Sequence, residues 1–439
     1  MQTKRDRQRI EMTLLPPLES LIPEDHYLRR LEKVLDLSFI HESVRDRYCE
    51  DNGRPSIDPE VVIRLFLIQA MDGIAHVREL MRQVQVNLAY RWFIGYRLDE
   101  KLPDHSTLSK ALDRFGDEVF NELFERSIAK CRESGLIEGR VLHVDATTIR
   151  ADLHRDRVGQ PDSPDPDARY GHFPDGRTKP GYKQHTVADD GSRVVMGITV
   201  TPADRHEHNE AAPLVDKASK HLESPPEAVC ADAAYASGRN YHDFKERGIR
   251  LVSPPPKARN GTGDRHYTIE AFVYDERRNV FICPHGKILK HVRTERQRGR
   301  RIYRGLRTDC RDCPLKPMCT GGVQRYLKVS VHHSALIKLR ADSRTADFQR
   351  LYAKRAPSIE GVFAEAKQWH GLGRAWRRGL AKTRVQCLLV SAVLNLKRLM
   401  GVFCLLWSRN VACGGLLSRI WRAVASSIRL DVSYRPCLA

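Results

Sequence analysis

The chain has 439 residues, enough for two or three domains with a large buried core. It carries 74 Lys and Arg against 55 Asp and Glu, a net charge of +19, and this surplus indicates a polyanionic partner, with nucleic acid the first candidate. No apolar run approaches the length of a signal peptide or of a membrane span, so we predict no membrane segment and expect a cytoplasmic location. Eleven cysteines in such a chain favour thiols and metal ligands over a disulfide framework.

Residues 1–135 are predicted to be helical. Asp58 is a candidate N-cap with Pro59 in the first helical turn, and two further helices are predicted at 76–84 and about 106–115. Several short helices with tight links are typical of a helix-turn-helix-like module that docks on DNA. An all-helical packing or dimerisation domain is the alternative.

Residues 136–255 change to a mixed α/β pattern. A buried strand at 141–145 ends in Asp145, and a second, at 228–232, ends in Asp232. Between them the pattern predicts a long loop at 154–180, a hairpin at 181–200 and a helix at 209–222. After the second strand it predicts a helix at 237–247 and a strand at 250–253. Because strand ends that lie beside each other build sites in such sheets, we expect the two acids to meet.

Residues 256–340 interrupt this pattern with a basic insertion that carries four cysteines. The spacing is C-x26-C-x2-C-x5-C, and four soft ligands with one C-x2-C pair suit a tetrahedral structural zinc. Ordinary buried thiols are the other interpretation. The stretch at 287–307 is dense in Arg and Lys and fits a ribbon that lies along phosphates. The four cysteines are Cys283, Cys310, Cys313 and Cys319.

Residues 341–400 supply a third acid, and 401–439 form a tail without recognisable chemistry. In a helix predicted to start near Pro357, Glu360 and Lys367 share one face. Glu365 lies about 140° around that helix, so it cannot face the same site as Glu360. A basic cluster and an apolar helix at 385–400 follow; the cluster contains Arg374, Trp376, Arg377, Arg378, Lys382 and Arg384.

Three acids on separate elements, Asp145, Asp232 and Glu360, are the ligand set of two-metal phosphoryl transfer. Hard carboxylate oxygens suit two Mg²⁺ or Mn²⁺ ions, and such ions activate the attacking oxygen and stabilise the leaving one. A solvated helical face is the plainer interpretation of Glu360 and Lys367 taken alone.

With these elements the chain resembles the DDE transposases of bacterial insertion sequences, from the helical N-terminal region to about residue 400. The strand HVDAT resembles the family's first-Asp strand at Asp145, and ADAAY resembles its second-Asp strand at Asp232. GYKQH, with Lys183 and His185, resembles the strand between them.

The stretch at 351–367 resembles the Tyr-x2-Arg-x3-Glu-x6-Lys signature of one group in that family. Its residues here are Tyr352, Arg355, Glu360 and Lys367. Four residues separate Arg355 from Glu360 where the signature has three, whereas the Glu-x6-Lys half fits.

The resemblance implies a ribonuclease-H-like catalytic domain with an inserted cysteine-bearing subdomain and a preceding all-helical domain. It implies cleavage at transposon ends and strand transfer into target DNA, by a dimer or larger synaptic complex at the bacterial nucleoid. Expected DNA contacts are Lys183, His185, Arg355, Lys367, Arg377 and Arg378. A non-catalytic, zinc-bearing DNA-binding regulator or a decayed transposase is the alternative.

Overall fold

A computed structural model describes residues 16–48, 56–255 and 266–412, with side chains up to residue 402. The first fifteen residues and most of the predicted tail, 413–439, lie outside the described residues.

The N-terminal region is helical, as predicted. Asp58 caps its fourth helix by accepting a hydrogen bond from the Glu60 amide at 2.8 Å, and Asp104 caps the seventh through the Ser106 amide at 2.8 Å. The helices are α1 Leu18–Leu21, α2 Tyr27–Val34, α3 Ile40–Val44, α4 Pro59–Met71, α5 Val77–Val86, α6 Leu88–Phe93, α7 His105–Phe115 and α8 Glu118–Glu133.

A six-stranded mixed sheet follows. Its strands are β1 Val141–Arg150, β2 Arg169–His172, β3 Thr178–Asp189, β4 Val195–Pro202, β5 Ala228–Ala231 and β6 Arg250–Val252. The order is β2-β3-β1-β5-β6, and β4 also pairs with β3. β3 is antiparallel to β1 and β4, whereas β1, β5 and β6 are parallel to one another. Two helices, α9 Ala211–Ser219 and α10 Gly238–Glu246, connect β4 to β5 and β5 to β6.

Three boundaries in this region were predicted wrongly. β1 does not end at Asp145 but continues to Arg150, because β3 pairs with it along its whole length. The predicted loop at 154–180 contains β2 and the start of β3. Asn209 is not a helix cap, since a short 3₁₀ turn at Glu207–Asn209 precedes α9.

The cysteine-bearing insertion contains a second sheet that the sequence analysis missed. Five antiparallel strands run in the order β7-β8-β9-β10-β11. Their bounds are β7 Val273–Asp275, β8 Val280–Ile282, β9 Ile288–Glu295, β10 Arg300–Arg304 and β11 Tyr326–Ser330, with short helices α11 Arg307–Arg311 and α12 Lys316–Cys319 between the last two strands. A small core of Phe272, Phe281, Leu289, Tyr303, Leu327 and Val329 holds this sheet together.

The chain returns to the larger sheet through α13 His333–Asp342, α14 Ala346–Ala353, α15 Gly361–Trp369 and α16 Leu380–Ala412. α16 is the predicted apolar helix, and it packs against α8, α4 and β4 within one hydrophobic cluster that also includes the N-terminal helices. By length and composition, Leu380–Val402 could cross a membrane, but 78% of this window is buried inside the protein, as in a core helix.

Candidate active site

Two carboxylates stand side by side on neighbouring parallel strands. Val144 of β1 pairs with Ala231 of β5, so Asp145 and Asp232, the residues that follow this pair, lie at the same level of the sheet. Asp232 then caps a 3₁₀ turn by accepting a hydrogen bond from the Ala234 amide at 3.0 Å. The expectation that the two acids would meet at neighbouring strands therefore agrees with the register, although Asp145 sits in mid-strand.

The environment of both acids disfavours their charged forms. Burial raises the pKa of Asp145 to about 6; Arg355 opposes this shift and Asp232 adds to it. Burial, followed by the negative charge of Glu207, also raises the pKa of Asp232. A pair of partly buried carboxylates of this kind is stabilised when a cation comes between them.

The helix that carries the third acid contains a π-helical turn. Residues Ala356–Glu360 have π geometry between α14 and α15, and both Arg355 and Gly361 keep helical dihedral angles. The helix therefore does not start near Pro357, as predicted, but passes through it. A π turn holds one more residue than an α turn, so it absorbs the additional residue between Arg355 and Glu360. It also widens the backbone where proline would crowd the preceding carbonyl group.

Arg355 connects the strand acid to the helix acid. Its Nη1 donates a hydrogen bond to Asp145 Oδ2 at 2.7 Å, and its Nη2 lies 3.3 Å from Glu360 Oε1. Its guanidinium carbon also lies 5.8 Å from the centre of the Tyr352 ring. The Arg355 side chain is 12% exposed, whereas Glu360 is 59% exposed. The extra residue before Glu360 therefore does not separate Arg355 from the acids.

Asp190, in the turn between β3 and β4, is a site residue that the sequence analysis treated only as part of a hairpin turn. Its carboxylate lies 2.9 Å from Lys354 Nζ and 3.0 Å from His143 Nε2, and Ser358 Oγ lies 3.5 Å away. The hydrogen bond to His143, together with Lys354, lowers the pKa of Asp190 to about 2 against the opposing effect of burial. Asp190 thus ties the sheet to both sides of Arg355. Because Lys354 and Ser358 are far from Asp190 in the chain, no local sequence pattern predicts these contacts.

The side chains proposed to contact DNA differ in their exposure and in whether they form ion pairs within the described part of the chain. Lys367 is half-buried without an ion pair among the described residues, and burial lowers its pKa. Arg378 is exposed, also without an ion pair in the described part of the chain, whereas Arg377 pairs with Asp113 at 2.9 Å.

Two residues of β3 that were expected to contact DNA are engaged or enclosed within the protein. Lys183 is held by Glu207 at 2.9 Å. His185 is fully buried and lies 3.0 Å from Thr201 Oγ1, and burial lowers its pKa to about 4. An enclosed imidazole of this kind offers no surface to a phosphate in this conformation, and a contact of His185 with DNA stays a prediction.

The four predicted zinc ligands line one small cavity of about 30 Å³ in the insertion. Cys283 Sγ accepts a hydrogen bond from the Lys287 amide at 3.2 Å across a tight turn in which Gly286 has φ +74°. Among the described residues, the one group of three or more potential ligands with all ligand atoms within 4.8 Å of one another is His242, Asp243 and Glu246, on the surface of α10. Neither the cysteines nor the three acids are drawn together that closely here.

Comparison with known proteins gives two family matches. A model described as "Transposase domain (DUF772)" matches residues 16–114, and one described as "Transposase DDE domain" matches residues 282–400. No curated protein matches the chain.

Two solved structures show distant similarity. One is titled as a synaptic complex of piggyBac transposase with hairpin DNA, at 12% identity, covering 94% of this chain and 86% of that one, with a TM-score of 0.35. The other is titled as a paired-end complex of Mos1 transposase with the left transposon end, at 12% identity, covering 46% of this chain and 61% of that one, with a TM-score of 0.17.

The two family matches define the class: this is an enzyme that cleaves and transfers DNA. More specifically, the two matches together support an insertion-sequence DDE transposase.

Proposed function

We propose that Asp145, Asp232 and Glu360 form the catalytic triad, and that they hold two Mg²⁺ or Mn²⁺ ions. The observation that carries this assignment is the position of Arg355, whose single guanidinium group reaches both Asp145 and Glu360. A cation is thus already accommodated between the strand acid and the helix acid. The parallel register that brings Asp232 beside Asp145 supplies the third ligand.

The residues present fit divalent ions. All three candidate ligands offer hard carboxylate oxygens, and burial together with nearby negative charge makes the charged forms of Asp145 and Asp232 unfavourable without a cation nearby. When bound, the ions would activate the attacking water or 3′-hydroxyl and stabilise the leaving oxygen.

The chain's own residues then position the reacting DNA. Asp145 is fixed within β1 and Asp232 by the 3₁₀ turn that it caps, whereas the exposed Glu360 side chain is free to adjust. Arg355 moves off the carboxylates and becomes available to clamp a phosphate through its two-pronged guanidinium group. Lys367, about two turns further along the same helix face and without a carboxylate partner in the described structure, would contact the backbone of the transposon end.

The sheet supports a ribonuclease-H-like catalytic domain. Three antiparallel strands, β4, β3 and β1, continue into two parallel strands, β5 and β6; Asp145 lies within β1 and Asp232 follows β5. Residues 136–255 and 341–400 would form this domain, with 256–340 as an insertion and 1–135 as a helical DNA-binding domain.

The substrates would be transposon ends and target DNA duplexes. Because two ends must be cut and joined together, we expect a homodimer or larger synaptic complex, working in the bacterial cytoplasm at the nucleoid. Arg378 is the freer of the two adjacent arginines and the better candidate for a phosphate contact.

We also propose a structural zinc at Cys283, Cys310, Cys313 and Cys319. Four thiols around one cavity form the ligand set that zinc prefers, and the Lys287 amide already points at the Cys283 sulfur as it would at a thiolate. Zinc would replace a large hydrophobic core in holding the small sheet of the insertion together.

The triad is tested by neutral isosteres assayed on a plasmid that carries the element's ends. Asp145→Asn, Asp232→Asn and Glu360→Gln should each abolish Mg²⁺-dependent cleavage while DNA binding persists. Asp152→Asn is the matched control, because Asp152 is an exposed acid paired only with Arg374. Undiminished cleavage by any of the three triad variants would remove that residue from the triad.

A further inference from the structure

The outward face of the insertion's sheet carries a row of positive charges. Cross-strand pairs place Arg300 opposite Glu295 and Ser330, Ile302 opposite Arg293 and Lys328, and Arg304 opposite Lys290 and Tyr326. Directly opposed residues of paired strands share a face, and the register shift in β9 opposite Ile302 and Tyr303 keeps Lys290 and Arg293 on the same face, so all of these side chains point to one side. The opposite side holds Tyr303, Leu327 and Val329, which are buried in the small core. We define the basic face as Lys290, Arg293, Arg300, Arg304 and Lys328, all of them exposed.

Little negative charge balances this face. The one ion pair on it joins Arg293 Nη2 to Glu295 Oε1 at 3.0 Å. Within the described structure, Lys290, Arg300, Arg304 and Lys328 have no ion pair with a carboxylate. Ile302, in the centre, is only 5% exposed.

Such an arrangement does not serve folding. Like charges directly opposite each other in a sheet, as Arg304 and Lys290 are, destabilise the pairing by a few tenths of a kcal/mol or more. The small core already selects the opposite face for burial, so neutral polar residues would fold at least as well. The charges are therefore expected to be compensated by a partner.

We propose that the basic face binds the phosphate backbone of double-stranded DNA, outside the catalytic centre. The chain is a DNA transposase, and the face is an extended, exposed array of cations without pockets for side chains, as suits backbone contact rather than base recognition. The cysteine cavity lies at one end of β9 and β10, because Cys283 precedes the turn into β9 and Cys310 follows β10. The cysteines thus hold the base of the two strands whose outer sides carry most of the charge.

The basic face extends along β9 beyond the residues that pair with β8. β8 pairs with β9 only as far as Lys290, so no strand of the described residues pairs with the outer half of β9 on that side. The turn at the tip adds two more exposed arginines, Arg296 and Arg298. A duplex could therefore approach this end of the sheet from the side as well as from the front.

The test compares two pairs of lysines in the full-length protein. Lys290→Gln/Lys328→Gln removes two charges from the basic face. Lys220→Gln/Lys245→Gln removes two exposed lysines, one just after α9 and one in α10, that form no ion pair with the described residues. Binding to a labelled duplex of arbitrary sequence is measured by anisotropy over a series of salt concentrations, in EDTA. Measured this way, binding does not depend on the catalytic triad, so failure here leaves the triad proposal intact.

We expect the basic-face variant to reduce the magnitude of the slope of log K against log salt by about 2, and the affinity by on the order of tenfold or more at 0.1 M salt. The control pair should leave both unchanged. An equal effect of both pairs, or no effect of either, would overturn the proposal. Loss of affinity for single-stranded RNA with duplex affinity retained would also overturn it.

A third variant guards against a folding defect. Glu295→Gln removes the acid that pairs with Arg293 and changes no cation. It should strengthen duplex binding and steepen the salt dependence by up to about 1, because Arg293 is released for a phosphate. Stronger binding by this variant cannot be explained by a damaged fold. Unchanged or weaker binding would contradict the proposal.

Discussion

Arg355 Nη1 donates a hydrogen bond to Asp145 Oδ2 at 2.7 Å, across 210 residues of chain. This contact joins the central strand of the sheet to the helix of the third acid, and Nη2 of the same side chain reaches Glu360. In the metal-free protein, a guanidinium group therefore provides the positive charge that the acids require. A divalent ion that binds there must compete with Arg355.

The first prediction follows from this competition. In Arg355→Gln, the acids lose their internal cation, so the metal-free protein should be less stable and Mn²⁺ should raise its melting temperature more than it raises that of the parent. Thermal unfolding with EDTA and with Mn²⁺ measures both values. Arg377→Gln, which removes an arginine paired with Asp113, is the matched control and should show the parental Mn²⁺ shift. Equal shifts in all three proteins would mean that Arg355 does not occupy the metal position.

The second prediction concerns the π turn. Deletion of Pro357 leaves three residues between Arg355 and Glu360, and a regular α turn then replaces the π turn without changing the phase of the helix on either side. We expect Mg²⁺-dependent cleavage to be retained within about tenfold. Deletion of Ala364, an exposed residue beyond the π turn, should instead rotate Lys367 about 100° away from Glu360 and reduce cleavage at least 100-fold. Loss of cleavage on deletion of Pro357 alone would show that the π turn is itself required.

The fold and site were predictable where local chemistry decides the structure. Asp58 and Asp104 were recognisable caps, and the two Asp-ended strands could be placed side by side from their apolar pattern. The π turn was not predictable, because proline usually marks a helix start and the contacts that hold this segment, of Arg355 with Asp145 and of Lys354 with Asp190, join residues distant in the chain. The burial of His185 escaped prediction as well, since it depends on strands pairing on both sides of β3.

The second sheet illustrates the same limit. β9 carries polar or charged side chains at most positions, so its sequence lacks the apolar alternation that indicates a strand. Its pairing depends on Tyr303 and Leu327 from neighbouring strands and on the cysteine cavity at its base. Contacts between residues distant in the chain define this subdomain, and a local sequence pattern cannot predict such contacts.

The third prediction concerns the cysteines. Purified, reduced protein should contain about one zinc per chain, and Cys313→Ser should bind substoichiometric zinc and become more sensitive to proteolysis within 266–340. Cys131→Ala is the control, because Cys131 is buried between helices away from the cavity and should leave the zinc content unchanged. Metal analysis that finds no zinc in the parent protein would remove the site.

The fourth prediction assigns Asp190 a positioning role. Asp190→Asn weakens charged hydrogen bonds to Lys354 and His143, so we expect a loss of about 1–3 kcal/mol in the free energy of unfolding at pH 7. Because the folded pKa of Asp190 is about 2, below the ordinary value of 3.8, its stabilisation is complete above about pH 4 and declines as the pH falls toward 2. Urea unfolding at pH 7 measures the loss.

A purely structural role of Asp190 can be separated from positioning by kinetics. If Asp190 positions the helix of Glu360, the Mg²⁺ concentration needed for half-maximal cleavage should rise at a temperature where the variant is fully folded. Asp204→Asn, an exposed acid in the loop after β4, is the control and should change neither value. An unchanged Mg²⁺ requirement in a destabilised Asp190→Asn protein would restrict Asp190 to folding.

The last prediction is that the active site costs stability. The folded pKa of Asp145 is about 6 and its ordinary value is 3.8, so between these limits the folded state binds more protons than the unfolded one. The contribution of Asp145 to stability is therefore most favourable below about pH 4 and decreases as the pH rises to 6. In EDTA at pH 7.5, Asp145→Asn should be more stable than the parent by on the order of 1–3 kcal/mol, and the difference should shrink toward pH 4.5. Urea unfolding at the two pH values measures it, with Asp152→Asn as a control that should follow the parent. The expected gain in stability should vanish on addition of Mn²⁺, because only the parent can bind the ion fully. A variant less stable than the parent in EDTA at pH 7.5 would show that the hydrogen bond from Arg355 outweighs the cost of burying the Asp145 charge.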